Sequence, residues 1–254
     1  MEVVVSCYIY GMTFNTESRF TSFLVLGAAF VISALIFGLF YYSAQSVSSR
    51  NALSVTGSAK VRVSADQAKL TLVISHTVLM SGLSGGYSTV ARDLSMVRSL
   101  LTAENIPDDA VIESPVSMNQ LYDPNGGSDT RYELRQTLTV QSDDVPLLTA
   151  LSKKIPSLAA GGAIVSIQSL EYYYSKLPDL RVSLLSEAIQ DAKARAEKIA
   201  EGTGRSIGSV QSASGGVVQV LAPNSVEISD YGAYDTSSIE KDVMVSVKAV
   251  FGLR

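Results

Sequence analysis

Residues 180–210 read LRVSLLSEAIQDAKARAEKIAEGTGRSIGSV, and the order of the parts within this stretch decides how the chain is read. Leu184, Leu185, Ala188, Ala192, Ala196, Ile199 and Ala200 recur at steps of three and four, which places them on one face of a helix running from about Pro178 to Glu201. Alanines at steps of four keep that face shallow, so the helix lies close on a sheet. Glu187, Asp191, Arg195, Lys198 and Glu201 ride the other side, with Asp191 and Arg195 at the favourable i,i+4 spacing. Gly202, Gly204 and Gly208 follow, with Arg205 among them, and then a strand from about Ser209 to Leu221. A phosphate loop needs the reverse order, strand to glycines to helix, because the free amides and positive dipole end lie where a helix starts. At a helix end the free groups are carbonyls, which repel phosphate. The run therefore predicts a helix stop, with Gly202 or Gly204 in the left-handed position after the last turn and Arg205 offsetting the negative end.

Upstream of that helix the apolar periodicity alternates between strand and helix. LSVTGSAKVRV and ADQAKLTLVISHTV are two successive strands, the second with Ala68, Leu70, Leu72, Ile74, His76 and Val78 on one face. Tyr87, Val90, Ala91, Leu94, Val97 and Leu101 then mark an amphipathic helix. AVIESPVSMNQLY is a strand interrupted by Pro115, which predicts an edge position or a bulge. DPNGGSD is a turn, and RYELRQTLTV alternates with Tyr132, Leu134, Gln136, Leu138 and Val140 on a buried face. A short helix over Val145 to Ile155 and a strand AIVSIQSLEYYY follow. From Ala65 the order is β-α-β, turn, β-α-β, that of a ferredoxin-like split βαβ unit. The expected fold is α+β: an antiparallel sheet with helices on one face, a ferredoxin-like βαββαβ core, and beyond it the long helix and terminal strands. A polar loop, APNSVEISDYGAYDTSSIE, precedes the final strand VMVSVKAVF and is expected to be an excursion or a contact surface.

The 254 residues carry a net charge of −4, only 17% are charged, and no Lys/Arg-rich run occurs, which argues against a nucleic-acid surface. Cys7 is the sole cysteine and His76 the sole histidine, so neither an intrachain disulfide nor a Cys/His zinc cluster can form. Phe23 to Tyr42, FLVLGAAFVISALIFGLFYY, contains no charge. As a helix it spans about 30 Å, the thickness of a bilayer core, and Tyr41 and Tyr42 suit the interface. The expected organisation is an N-terminal segment 1–22, a transmembrane anchor or uncleaved signal 23–42, a polar linker 43–52 and a folded domain 53–254. AQS at 44–46 also fits a cleavage site. MEVVVSCYIYG is oddly apolar ahead of an anchor, and Met12 offers an alternative start.

Candidate chemistry reduces largely to structure. GLSGG at 82–86 fits G-x-S-x-G with Ser84 as a hydrolase nucleophile, but that elbow needs a strand running directly into a helix and a histidine after the serine, whereas His76 precedes it. His76 sits on an apolar face and reads as a hydrogen-bonded core or interface residue. SIEK at 238–241 has the S-x-x-K spacing of acyl enzymes, yet lies between a loop and a strand. Asp108 with Asp109, Asp143 with Asp144, and Asp123 near Asp129 read as caps and turn residues, with too few oxygens for calcium. No catalytic residue, metal site or cofactor is expected. Tyrosine is the enriched residue, at 12 against no tryptophan. Tyr172, Tyr173 and Tyr174 alternate across a strand while Tyr231 and Tyr234 lie in the long loop, so these five form the candidate interaction surface.

Two stretches carry a family resemblance. LSVTGSAKVRVSADQAKLTLVIS resembles the opening strand pair of the SIMPL-domain family, and LRVSLLSEAIQDAKARAEKIAEGTGRSIGSV resembles its second signature, an Ala-rich helix A-x-x-D-A-x-x-K/R-A-E-x-[IL]-A followed by a G-x-x-[IL]-G turn. Ser58 stands where that family usually has a second glycine, and Gly82, Gly85 and Gly86 loosen a helix start that is usually regular. The resemblance implies a non-enzymatic, extracytoplasmic α+β domain that forms homo-oligomers, linked to oxidative or envelope stress in bacteria and to kinase-pathway signalling in animals. With the anchor it implies a single-pass inner-membrane protein whose C-terminal domain is periplasmic, or a secreted periplasmic one after cleavage. The alternatives are a binding module that presents its sheet or long loop to a partner protein or small ligand, and, distantly, a hydrolase using Ser84.

Overall fold

A computed structural model describes residues 16–122, 130–225 and 229–254. The segment MEVVVSCYIYG, the alternative start at Met12 and the Asp123/Asp129 turn lie outside the described residues. Helix α1 (Thr16–Arg50) contains an 18-residue window, Val25–Tyr42, of mean hydropathy 2.1 with none of it buried. Residues 43–50, expected as a linker, are the last part of this helix. Asn51 alone separates α1 from strand β1 (Ala52–Ser64).

The expectation of one sheet is corrected: the described residues form two, each of five strands. Strand β1 is followed after two residues by β2 (Gln67–Leu79), yet the two strands belong to different sheets. Next come α2 (Leu83–Ala103), β3 (Val111–Glu113), β4 (Ser117–Leu121), β5 (Arg131–Ser142), α3 (Val145–Lys154), β6 (Val165–Tyr173) and α4 (Leu177–Gly202). Strands β7 (Ile207–Gly215), β8 (Gln219–Leu221), β9 (Ala233–Tyr234) and β10 (Glu240–Leu253) complete the chain.

The sheet around β2 has the order β3/β4–β5–β2–β6, antiparallel throughout. Pro115 falls between β3 and β4, which both pair with the outer side of β5, the edge position that a residue without an amide donor allows. One face is apolar and carries α2 and α3: Leu70, Leu72, Ile74, Leu134 and Leu138 pack with Val90 and Val97 of α2 and Leu148 and Leu151 of α3. The opposite face is polar and cross-linked by long side chains, with Ser75 donating to Glu133 at 2.6 Å, Arg135 donating to Gln168 at 3.0 Å and Lys69 3.5 Å from Glu171. Asp144 caps α3 by accepting from the Leu147 amide at 2.9 Å.

The other sheet is built on the last strand. β10 pairs with β1 in register from Ala52↔Gly252 to Ser64↔Glu240, and on its other side with β8 and then β7. β8 also pairs with β9, in parallel. Helix α4 lies on this sheet through Leu184, Ala188, Ala192, Ala196 and Ala200, all of them buried. Contact is closest at Gly57 of β1, where a Cβ would stand 2.2 Å from the Ala188 carbonyl oxygen and 2.3 Å from the Ala192 amide nitrogen. Only glycine fits there. The Ser58 amide, on the free edge of β1, donates to the Asp191 carboxylate of α4 at 2.8 Å. The helix ends at Gly202, Gly204 follows at φ +72°, and the Arg205 amide returns to the Ala200 carbonyl at 2.9 Å.

Candidate functional site: the tyrosine seam

The residues with polar reach gather where the two sheets meet. Because successive strand residues alternate faces, Tyr172 and Tyr173 part company at the end of β6. Tyr172 is buried beneath α3 with its hydroxyl 3.0 Å from the Thr149 hydroxyl. Tyr173 turns to the other face and meets Tyr234 of β9, ring centroids 6.0 Å apart at 34°. The Tyr174 amide donates to the Tyr234 hydroxyl at 3.0 Å, and the Tyr172 amide donates to the Thr236 carbonyl at 2.8 Å. Four of the five singled-out tyrosines are thus drawn together, and their bonds join the two sheets. Tyr231 stands apart and is 97% exposed. Burial, with Glu171 alongside, raises the pKa of the Tyr173 hydroxyl.

Beneath the rings lies a fully buried lysine. Lys241 of β10 donates to the carbonyls of Asp235 at 2.5 Å and Ser238 at 2.7 Å, with the Asp235 carboxylate at 3.8 Å and the Tyr234 ring centroid at 5.7 Å. Burial lowers its pKa. Burial would raise that of Asp235, but bonds from the hydroxyls and amides of Ser237 and Ser238 outweigh it and hold the carboxyl down to about 2. The segment expected as an excursion or a contact surface is therefore tied down over 233–240. The ammonium points at the Ser238 carbonyl while the Ser238 hydroxyl serves Asp235 and the Glu240 carbonyl, so the S-x-x-K spacing builds a clamp. On the other flank, Asp66 accepts from the Ser175 amide and hydroxyl, both at 2.7 Å. Asp242 accepts from Lys60 and Arg62 of β1, each at 2.8 Å; Arg62, Lys60 and the Asn224 amide outweigh its burial and hold its carboxyl well below the usual carboxylate range.

Two open clefts flank the seam. One of about 660 Å³ runs along the start of β2, lined by Gln67, Lys69, Asp109, Gln141, Asp143 and Tyr173. The other, about 600 Å³, is lined by Ala65, Val145, Pro146, Lys153 and Ile239. The first offers mixed donors and acceptors around one aromatic ring; among the described residues no three His, Cys, Asp or Glu side chains converge as a metal site.

His76 and Ser84 lie elsewhere, His76 on β2 and Ser84 on α2, the helix packed on the β2 sheet. His76 Nε2 is 2.7 Å from the Asp93 carboxylate, which is fully buried and also accepts from the Ile164 amide at 2.9 Å and from Arg92 at 3.0 Å. Burial would raise the Asp93 pKa, but these three partners outweigh it and hold the carboxyl below its ordinary value. Ser84 is exposed in the first turn of α2, nine residues or about 13 Å of helix from Asp93. Among the described residues nothing links the Ser84 hydroxyl to His76. Asp93 escaped the sequence reading although it sits at the helical step between Val90 and Val97, a charge on a buried stripe. Lys241 entered the sequence reading only as the lysine of SIEK; its burial was legible as well, because it alternates with Val243, Val245 and Val247 on the inward face of β10.

Comparison with known families gives one match that spans both sheets: SIMPL, described as a protein of unknown function (DUF541), over residues 53–251. The chain belongs to the SIMPL family. The match begins at Leu53 in β1 and ends at Phe251 in β10, two residues paired with each other, so the SIMPL region closes on itself and excludes α1. No curated protein matches the chain. Among solved structures, it is similar to the regulatory subunit of aspartate kinase from Thermus flavus at 15% identity, covering 78% of this chain and 89% of that one. The TM-score is 0.18, too low for the likeness to carry an argument about this SIMPL protein.

Proposed function

We propose that this SIMPL protein is a non-enzymatic, single-pass protein of the bacterial inner membrane whose C-terminal domain lies in the periplasm, self-assembles, and acts in envelope stress response or as a scaffold. The observation that carries the membrane half is α1, whose 18-residue apolar window has no part buried against the domain. A helix of that kind has lipid as its natural surroundings. The assembly half is supported by the sheet ends. Strands β1 and β6, of 13 and 9 residues, are terminal among the described strands of their sheets; away from the Ser58 amide, held by Asp191, and the Tyr172 amide, held by Thr236, such edges present backbone donors and acceptors to another chain. The order β3/β4–β5–β2–β6 fits the ferredoxin-like split βαβ core expected from the sequence, with the second sheet and α4 added to it. Mass photometry of the full chain in lipid nanodiscs, with cross-linking in native membranes, tests assembly. A discrete oligomer is expected; a monomer at every concentration sinks the proposal.

A second reading is favoured by the polar cleft beside Tyr173 and by the exposure of Tyr231. In it the seam presents a contact surface to a partner protein or small ligand. Removing the whole 222–240 segment is a poor test, because Asp235 and Tyr234 hold the sheets together. Tyr231→Ser leaves those bonds intact and is expected to abolish co-purification of a partner without lowering Tm. Unchanged co-purification would dispose of the Tyr231 surface. The hydrolase alternative stands on Ser84 alone, and hydrolysis retained in Ser84→Ala removes it.

A further inference from the structure

The end of the domain where the chain leaves α1 gathers arginines. The Asn51 carbonyl accepts the Leu253 amide at 2.7 Å, and Arg254 and Ser206 exchange backbone bonds of 2.8 and 3.0 Å. Helix α4 stops at the same end, with Arg205 tied to the Ala200 carbonyl. Arg205 and Arg254 are therefore fixed at the root by backbone pairing, while Arg50 precedes Asn51 in the chain. Both Arg205 and Arg254 are exposed, and among the described residues neither has an acidic partner, whereas Arg62, Arg98 and Arg195 each hold a carboxylate. Glu201, the nearest acid along α4, is taken by Lys198 at 2.9 Å. This cationic end belongs to a chain of net charge −4.

The tether is short. Eight residues, 43–50, separate the apolar window from Asn51, which is about 12 Å as helix and no more than about 28 Å fully extended. A guanidinium fork matches phosphate oxygens in bidentate fashion, and each basic residue near an anionic leaflet strengthens attachment on the order of five-fold. We infer that the root, through Arg205 and Arg254, docks on the headgroup phosphates of the anionic membrane that α1 enters, so that one end of the domain rests on the lipid surface. This rests on the reading of α1 as an anchor.

The chain has no tryptophan, so single reporters can be placed in the full-length protein. Thr203→Trp reports the root; Tyr231→Trp reports the region of β8, which pairs with β10 at Asp242–Met244, roughly 30 Å up the strand from Leu253, and of β9, which pairs with β8. Both are reconstituted in phosphatidylcholine vesicles with and without phosphatidylglycerol, carrying a headgroup spin label. Quenching of the Thr203→Trp reporter is expected to rise several-fold with phosphatidylglycerol and to return to the neutral-lipid level in Arg205→Glu/Arg254→Glu or at high salt, while the Tyr231→Trp reporter stays unquenched. Equal quenching of the root reporter in neutral and anionic vesicles, or indifference to the charge reversal, overturns docking. Flotation separates the two readings: failure of the chain to float with neutral vesicles overturns the anchor itself.

Discussion

The two sheets take on their helices by opposite means. Around β2, α2 and α3 stand off on large aliphatic side chains, with Leu70, Leu72, Ile74, Leu134, Leu138, Leu148 and Leu151 all fully buried. Around β10, α4 comes down on a stripe of alanines, over a glycine whose missing side chain leaves room for the helix backbone. The first contact gains stability from apolar area and tolerates small changes in volume; the second gains it from proximity and tolerates none. Between them the seam is polar, and holds one sheet to the other with Asp235, Lys241 and the paired tyrosines.

Breaking the close contact should give the largest effect. Gly57→Val puts side-chain atoms where the Ala188 carbonyl and Ala192 amide now stand. Neither can retreat without moving α4, so a loss above about 4 kcal/mol is expected in urea unfolding, more than ordinary overpacking costs. A loss under about 1 kcal/mol would mean that the helix floats on the sheet. Leu72→Ala makes a cavity in the aliphatic core and is expected to cost about 3 kcal/mol, with the first sheet still formed.

The seam, unlike either helix contact, responds to pH. Asp235 titrates at about 2 when folded, below the ordinary carboxylate value near 3.9. Its contribution is therefore complete above about pH 5 and lost as the pH falls through about 2, and is on the order of 2 kcal/mol. Asp242, also depressed, adds in the same direction. Asp235→Asn should flatten the acid limb of a Tm-against-pH profile, and an unchanged limb would place the titrating groups elsewhere. The smallest effect is expected from Asp191→Ala, which uncovers the Ser58 amide on the edge of β1 and removes an exposed pair with Arg195. A Tm change under about two degrees is expected, accompanied by greater concentration-dependent association if Asp191 guards that edge.

The type and inward face of most elements are written in the sequence, although residues 43–50 prove to be the end of α1, the strand expected over Ser209 to Leu221 divides into β7 and β8, and β9 lies in a segment expected to be a loop. The alternation over Tyr132 to Val140, the three-and-four spacing in α2 and the alanine stripe of α4 are local signals, because strand and helix periodicity are written within a dozen residues. The edge position of the Pro115 strand came from the same kind of reading, since a missing amide is a local fact. Tertiary structure decided which strands share a sheet. Nothing in LSVTGSAKVRV says that β1 leaves β2 for β10, some 180 residues on, because strand pairing is fixed by burial and neighbours that only the assembled fold supplies. It decided the tyrosines too: one residue of strand alternation sends Tyr172 into the core and Tyr173 to the seam, while Tyr234 reaches that seam only because β9 is carried there by β8. Lys241 shows the same division, its place on an apolar face visible in the alternation of β10, and its carbonyl and carboxylate partners visible only once the 233–240 segment folds over it.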